Sequence, residues 1–335
     1  MKLIGIKKYI LFLFFIFMSI RSVFADHKVG ETSSCFFDSS RKRPLWVYIW
    51  YPCKHGIERV ATSLFVEPSV VFQGEHSSNE KKHPLIIFSH GSSGSARDQI
   101  WLAESLVKMG NIVVSIEHYG NNWKNEIPEL YFNYWERPKD VSFVLDCLLS
   151  SPTKNIIDEE KIGFAGFSLG GMTGIWLAGG LVSSSLAPNQ SDVDEWFPGL
   201  NGSNLLKFYD DAPGKRSYKD PRIKAFFLMS PRSEEFSKGS TANIKTPFFI
   251  VFGDSDEYLP IEPNGIELEG KFPRATFHVL EGGISHYTFT RRPTTAGNEK
   301  LSYFLHQDLP GVDRHNVHSE TKKLASDFFE KVFTY

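Results

Sequence analysis

The stretch "KIGFAGFSLGGMTGIWLAGG", residues 161–180, changes its period at a single serine. Up to Gly166 it reads as a buried strand, and from near Ser168 it reads as an apolar helix. A strand that becomes a helix with no loop between leaves Ser168 on a tight turn, flanked by Gly166 and Gly170. Gly166-Phe167-Ser168-Leu169-Gly170 fits the nucleophile-elbow pattern G-x-S-x-G, which strains the serine backbone and lifts its hydroxyl above the sheet. The competing reading is a small polar residue where only small residues fit.

Strand-like and helix-like stretches alternate along the rest of the chain, the pattern of a mostly parallel sheet covered by helices on both faces. "PLWVYIWYP" (44–52), "HPLIIFSHG" (83–91), "NIVVSIEHYG" (111–120), "IKAFFLMSP" (223–231), "TPFFIVFGD" (246–254) and "ATFHVLEGG" (275–283) read as strands. The first is expected in an antiparallel edge hairpin with the segment around Cys35, and the last near an edge of the sheet. Helices are expected over Arg97–Lys108, over 137–150 and in "SETKKLASDFFEKVF", where Leu324, Phe328 and Val332 recur four apart on one face. Residues 119–136, rich in aromatics, and residues 182–220, rich in Gly, Pro, Asn and Asp, interrupt the rhythm. Loops of that length in a compact domain are usually lids or flexible insertions.

The first 25 residues form a separate unit. Lys2, Lys7 and Lys8 precede the apolar "YILFLFFIFMSI", and Val23 and Ala25 stand where a signal peptidase reads small residues. The expectation is a cleaved signal peptide and an exported chain, periplasmic or secreted, folded as a single domain over 26–335. An uncleaved anchor is the alternative, although the apolar run falls short of the roughly 20 residues of a membrane span. The segment carries four basic residues and no acid, so its removal takes the formal charge from −2 to −6. Such a balance gives no electrostatic footprint for nucleic acid. Oxidising surroundings would allow a Cys35–Cys53 disulfide, with free thiols as the alternative. Without a CxxC or Cys/His cluster, neither a structural zinc ion nor any other cofactor is expected.

A serine hydroxyl needs a base within hydrogen-bond reach, and the elbow supplies partners in the order serine, acid, histidine. His286, in "GGISHYTF", directly follows the last expected strand, whereas His278 lies inside that strand. His306, His315 and His318 fall in a polar stretch and read as solvated surface histidines. "GDSDEYLP" follows the strand "TPFFIVF" and offers Asp254, Asp256 and Glu257, and position alone does not separate Asp254 from Asp256. The oxyanion of an acyl-transfer intermediate would be held by the amide of Leu169 and by one from "SHGSSG", for which Ser92 is preferred to Ser93.

With these residues in place the chain resembles the α/β-hydrolase superfamily, and within it the predicted dienelactone hydrolases that also resemble platelet-activating-factor acetylhydrolases. "RPLWVYIWYP", "HPLIIFSHGSSG", "ERPKDVSFVLDCL", "IGFAGFSLGG", "DPRIKAFFLMSP", "FGDSDEYLP" and "GGISHYTF" carry the likeness. It implies an α/β-hydrolase fold with an insertion after the elbow helix. It also assigns the acid, through a G-x-x-D-x-x-x-P loop, to Asp256. One residue departs: true dienelactone hydrolases have a cysteine at the elbow, and Ser168 here favours ordinary ester hydrolysis.

The reading is an exported serine esterase that uses Ser168, His286 and Asp256, with Ser92 and Leu169 amides as the oxyanion hole. Its partners would be small-molecule or lipid esters, with transient contact to a membrane surface. A lipase or phospholipase is the closest alternative, because Trp123, Tyr131, Phe132, Tyr134 and Trp135 could line an acyl site or merely pack. A peptidase and a catalytically silent binding module of the same fold are the others. Acyl chain, alcohol and oligomeric state are not written in the sequence.

Overall fold

The computed structural model describes residues 27–77, 81–202, 209–262, 264 and 270–334. The expected signal peptide and its cleavage point lie outside the described residues, as does part of the 182–220 insertion. No helix among the described residues is long and apolar enough to cross a membrane.

The core is a ten-stranded sheet. In chain order its strands are β1 (Lys28–Asp38), β2 (Arg43–Cys53), β3 (Glu58–Arg59), β4 (Val70–Phe72), β5 (His83–Ser89) and β6 (Ile112–Glu117). A two-stranded ribbon of β7 (Asn121–Asn122) and β8 (Asn125–Glu126) follows, outside the main sheet. The main sheet resumes with β9 (Ile157–Phe167), β10 (Ile223–Met229), β11 (Phe248–Gly253) and β12 (Thr276–Leu280). The spatial order is β12-β11-β10-β9-β5-β6-β2-β1-β4-β3. From β12 to β6 every neighbour is parallel, and β2 joins β6 antiparallel. The β1–β2 hairpin thus sits inside the sheet and not at its edge, because β4 pairs with β1 and β3 closes the rim.

The apolar strand runs are explained by burial on both faces. Along β5, Leu85 and Ile87 point into one core while Ile86 and Phe88 point into the other. Helices α3 (Glu136–Leu149) and α4 (Leu169–Ala178) cover the first face, with Val141, Val144, Met172 and Trp176 fully buried. Helix α1 (Ile100–Lys108) and the C-terminal helix Arg314–Thr334 cover the second. Two short helices complete the frame near the site: α2 (Pro128–Tyr131), and α5 (Gln190–Trp196) within the insertion.

Three further expectations are corrected. The buried stripe of the C-terminal helix is Val317, Thr321, Ala325, Phe329 and Phe333, one residue on from the expected face, and Leu324, Phe328 and Val332 flank it half-buried. The small Thr321 and Ala325 let the helix lie close, and the Thr321 hydroxyl is satisfied by Val317 O at 2.8 Å. His318 is not solvated: it is buried, stacked on Trp101 at 3.8 Å and bonded through Nε2 to Thr288 O. Cys35 and Cys53 are both free. In the β1–β2 ladder Cys35 faces Trp46 and Cys53 faces Lys28, so they stand seven residue pairs apart. That is roughly 23 Å at strand rise, far beyond a disulfide's reach.

Candidate active site

The site is built at the carboxyl ends of β9, β11 and β12. Where β9 passes into α4, Ser168 adopts φ 55° and ψ −117°, a region that non-glycine residues rarely occupy. Such strain costs about 1–3 kcal/mol and persists only where the surroundings impose it. Here they do. A Cβ on Gly166 would lie 2.3 Å from Gly170 O, and one on Gly170 would lie 1.9 Å from Ser89 O. The two glycines therefore let α4 and β5 close on the turn. The Ser168 N–H donates to Met229 O at 3.0 Å, which ties the bend to β10.

Past β11, Asp256 is buried and accepts the Leu259 and Tyr258 N–H groups through Oδ1, at 2.7 and 3.1 Å. Its other oxygen, Oδ2, takes the His286 Nδ1–H at 2.7 Å, and His286 Nε2 lies 3.0 Å from Ser168 Oγ. With Nδ1 donating to a carboxylate, Nε2 is left as an acceptor facing the hydroxyl. The choice left open between two aspartates has a physical answer. Asp254 is occupied elsewhere, accepting the N–H groups of Gly282, Gly283 and Ile284 at 2.7–3.2 Å. Partial burial would raise its pKa, but those backbone donors outweigh it and hold the carboxyl below the usual range. Asp254 thus fastens the loop that delivers His286, and Phe167 packs 4.8 Å from the imidazole ring.

Leu169 opens α4, where the first N–H groups have no intrahelical acceptor. Ser92 and Leu169 both line a cavity of about 180 Å³ that also contains Ser168. Ser93 is excluded as a donor because its N–H is already given to Asn121 Oδ1 at 3.0 Å. Phe132 and Tyr134 from the 119–136 segment line the same cavity, as do Asp192, Glu195 and Trp196 from α5. Arg232 and Tyr258 close the ring. Trp123 is exposed, whereas Tyr131 and Trp135 are buried, with Tyr131 hydrogen-bonded to both Ser92 and Ser93 Oγ. Larger cavities, of about 430, 470 and 420 Å³, lie elsewhere and contain neither Ser168 nor His286. Among the described residues no His/Cys/Asp/Glu cluster could hold a metal ion.

Directly beneath the loop that carries Ser92 and Ser93 lies a second hydrogen-bonded serine, histidine and aspartate. Ser89 Oγ is 2.9 Å from His118 Nε2, and His118 Nδ1 is 3.0 Å from Asp140 Oδ2. All three are buried, and Arg43 clasps Asp140 through both carboxylate oxygens at 3.0 and 2.9 Å. Burial, reinforced by Arg137, lowers the His118 pKa to about 4, so the ring is neutral at pH 7. Ser89 lines none of the four cavities named above, and the relay ties together β5, the end of β6 and α3.

Glu117 lies next to it, and burial raises its pKa from 4.5 to about 7. The folded state therefore binds this proton more tightly than the unfolded chain does. Its stabilising effect is complete below pH 4.5 and is lost as pH rises through about 7. At 1.36 kcal/mol per pKa unit the difference is at most about 3 kcal/mol. Glu117→Gln, which stays neutral, is expected to melt at a higher temperature than the parent at pH 8 and within a degree of it at pH 4.5. Thermal melts across that range test this; equal melting temperatures at pH 8 would contradict it.

No protein-family model matches the chain, and no curated protein does. Solved structures do. A ferulic acid esterase from Streptomyces cinnamoneus superposes with a TM-score of 0.61 at 17% identity, over 92% of this chain and 91% of that one. Esterase 2 of Thermogutta terrifontis, in a form phosphorylated by paraoxon, gives 0.54 at 13% identity over 90% and 94%. A dienelactone hydrolase from Anabaena variabilis gives 0.50 at 15% identity over 90% and 98%. The chain has the α/β-hydrolase fold.

Within that fold the structure links Ser168, His286 and Asp256 by hydrogen bonds and places Ser92 and Leu169 on the same cavity. Arg137 and Asn121 behind the 90–93 loop, and Arg232 and the α5 residues on the cavity, do not stand out in the sequence as neighbours of the site. Of these only Arg137 carried a usable signal: an arginine in the first turn of an otherwise amphipathic helix, which proves to be almost wholly buried.

Proposed function

We propose that this protein is an exported carboxylic ester hydrolase that works through Ser168, His286 and Asp256. The observation that carries the reading is the unbroken relay from Ser168 Oγ to His286 at 3.0 Å and on to Asp256 at 2.7 Å, with the serine facing a cavity. The esterase names of the structural neighbours support it.

Ser168 Oγ attacks the ester carbonyl carbon as its proton passes to His286 Nε2. The carbonyl oxygen becomes an oxyanion held by the Ser92 and Leu169 N–H groups, and Asp256 stabilises the imidazolium. Collapse of the tetrahedral intermediate breaks the bond to the alcohol oxygen, which takes the proton from His286. Water then attacks the acyl-serine, giving its proton to His286, and the carboxylic acid leaves as the proton returns to Ser168. No metal or organic cofactor is required. A cavity near 180 Å³ favours short acyl groups over long lipid chains. The basic start and apolar core of residues 1–25 support export.

The test is a fluorophosphonate probe followed by peptide mapping, together with a p-nitrophenyl ester series from acetate to palmitate. Adduct on the peptide containing Ser168 and turnover falling with chain length are expected. Adduct elsewhere, or none, refutes the triad. Activity that rises above the micelle concentration would favour a lipase.

A further inference from the structure

We propose that Arg137, together with Asn121, is a positioning pair that aims the Ser92 N–H at the oxyanion; the inference rests on the esterase reading above. Arg137 is 2% exposed and reaches the oxyanion loop from behind. Its Nη1 donates to His90 O at 2.5 Å, and its Nη2 donates to Gly91 O at 3.0 Å. The Gly91 carbonyl and the Ser92 N–H belong to one planar trans peptide and must point in opposite directions. Holding the carbonyl on the α3 side turns the N–H to the other. That other side is the site: a Cβ on Gly91 would lie 3.4 Å from the Ser168 Cβ, and Gly91 and Ser92 line the cavity with Ser168.

The next peptide is held as well. Ser93, at φ 52°, gives its N–H to Asn121 Oδ1 at 3.0 Å, and the same oxygen accepts from Arg137 Nη2 at 3.0 Å. One planar guanidinium and one amide thus set two successive peptide planes, and the donor fork of arginine suits it to bridge adjacent carbonyls. His90 Nδ1 adds a bond to Gly91 O at 2.7 Å.

The charge is informative too. The bonds Arg137 makes go to His90 O, Gly91 O, Asn121 O and Asn121 Oδ1, all neutral oxygens, and its Nε has no partner among the described residues. A buried cation hydrogen-bonded to no carboxylate is costly, so stability alone would favour an apolar side chain here. Burial presses its pKa down to about 9. Behind the Gly91–Ser92 peptide, the cation draws electron density onto the carbonyl and strengthens the N–H as a donor.

The experiment compares Arg137→Lys and Arg137→Gln with the parent on p-nitrophenyl butyrate. It also measures affinity for an alkyl trifluoromethyl ketone, whose hemiketal with a serine carries the oxyanion. Loss of an oxyanion donor typically lowers the rate about 100- to 1000-fold. A mis-aimed one is expected to lower kcat on the order of 100-fold, with KM within about three-fold and ketone affinity falling in step with kcat/KM. Guanidinium added to Arg137→Ala should restore part of kcat. A folded variant with parental kcat and ketone affinity, or a loss confined to KM, overturns the proposal. If no Arg137 variant folds, Asn121→Ala decides: a ten-fold or larger fall in kcat and ketone affinity supports the pair, and parental values refute it. Ser168→Ala run alongside separates the two levels. Its retention of activity would remove the esterase reading itself, whereas an inert Ser168→Ala beside fully active Arg137 variants removes only the present inference.

Discussion

Ser168→Ala is expected to lower kcat for short p-nitrophenyl esters by about 10⁶-fold while leaving the fold and melting temperature near those of the parent. The size follows from the geometry. Without Oγ there is nothing 3.0 Å from His286 Nε2 to deprotonate, so covalent chemistry stops and only oxyanion binding remains. The fold should tolerate the change because alanine keeps the Cβ and the strained φ is imposed by neighbours, not by the hydroxyl. Its lack of effect on turnover by pure protein would remove Ser168 from the mechanism.

Asp256→Asn is expected to cost about 10⁴-fold in kcat with little change in KM. Asp256 Oδ1 accepts the Leu259 and Tyr258 N–H groups, so in asparagine the carbonyl oxygen must take that position. The amide NH₂ then faces His286 Nδ1 and can only donate. That forces the imidazole proton onto Nε2, which can no longer accept the Ser168 proton. The measurement is kcat and KM of the purified variant, with the imidazole tautomer read from ¹⁵N chemical shifts. A parental kcat, or a loss with the tautomer unchanged, would exclude this account of Asp256.

The main architecture was legible because strands buried on both faces are written as unbroken apolar runs, and β5, β6, β10 and β11 are runs of that kind. The hydrogen-bonded set of Ser168, Asp256 and His286 was legible because each of the three lies shortly after a strand, within a short local motif. Residues that act by meeting across the sheet were not. Arg137 and the carbonyls it holds are 46 and 47 residues apart and meet only because β5 lies beside β6 and α3 packs behind both. His318 looked solvated because its sequence neighbours are polar, yet its partner Trp101 is supplied by α1, far earlier in the chain. The hairpin cysteines misled for the opposite reason: proximity in sequence said nothing about where each falls along the ladder. The insertion reads as polar loop, but Asn189 and Asp192 cap each other reciprocally and nucleate α5, which brings Trp196 to the cavity.

The buried Ser89–His118–Asp140 relay has a consequence for anyone who infers enzymes by matching atom templates. A search that asks only for a hydroxyl, an imidazole and a carboxylate in sequence of hydrogen bonds would return two such sets among the described residues, at 2.9 and 3.0 Å in one and 3.0 and 2.7 Å in the other. What separates them is the cavity that Ser168 and His286 line and that Ser89 and His118 do not, which a three-residue template does not encode. For these two sets, tighter tolerances on the hydrogen bonds would not discriminate, whereas the empty volume beside the hydroxyl does.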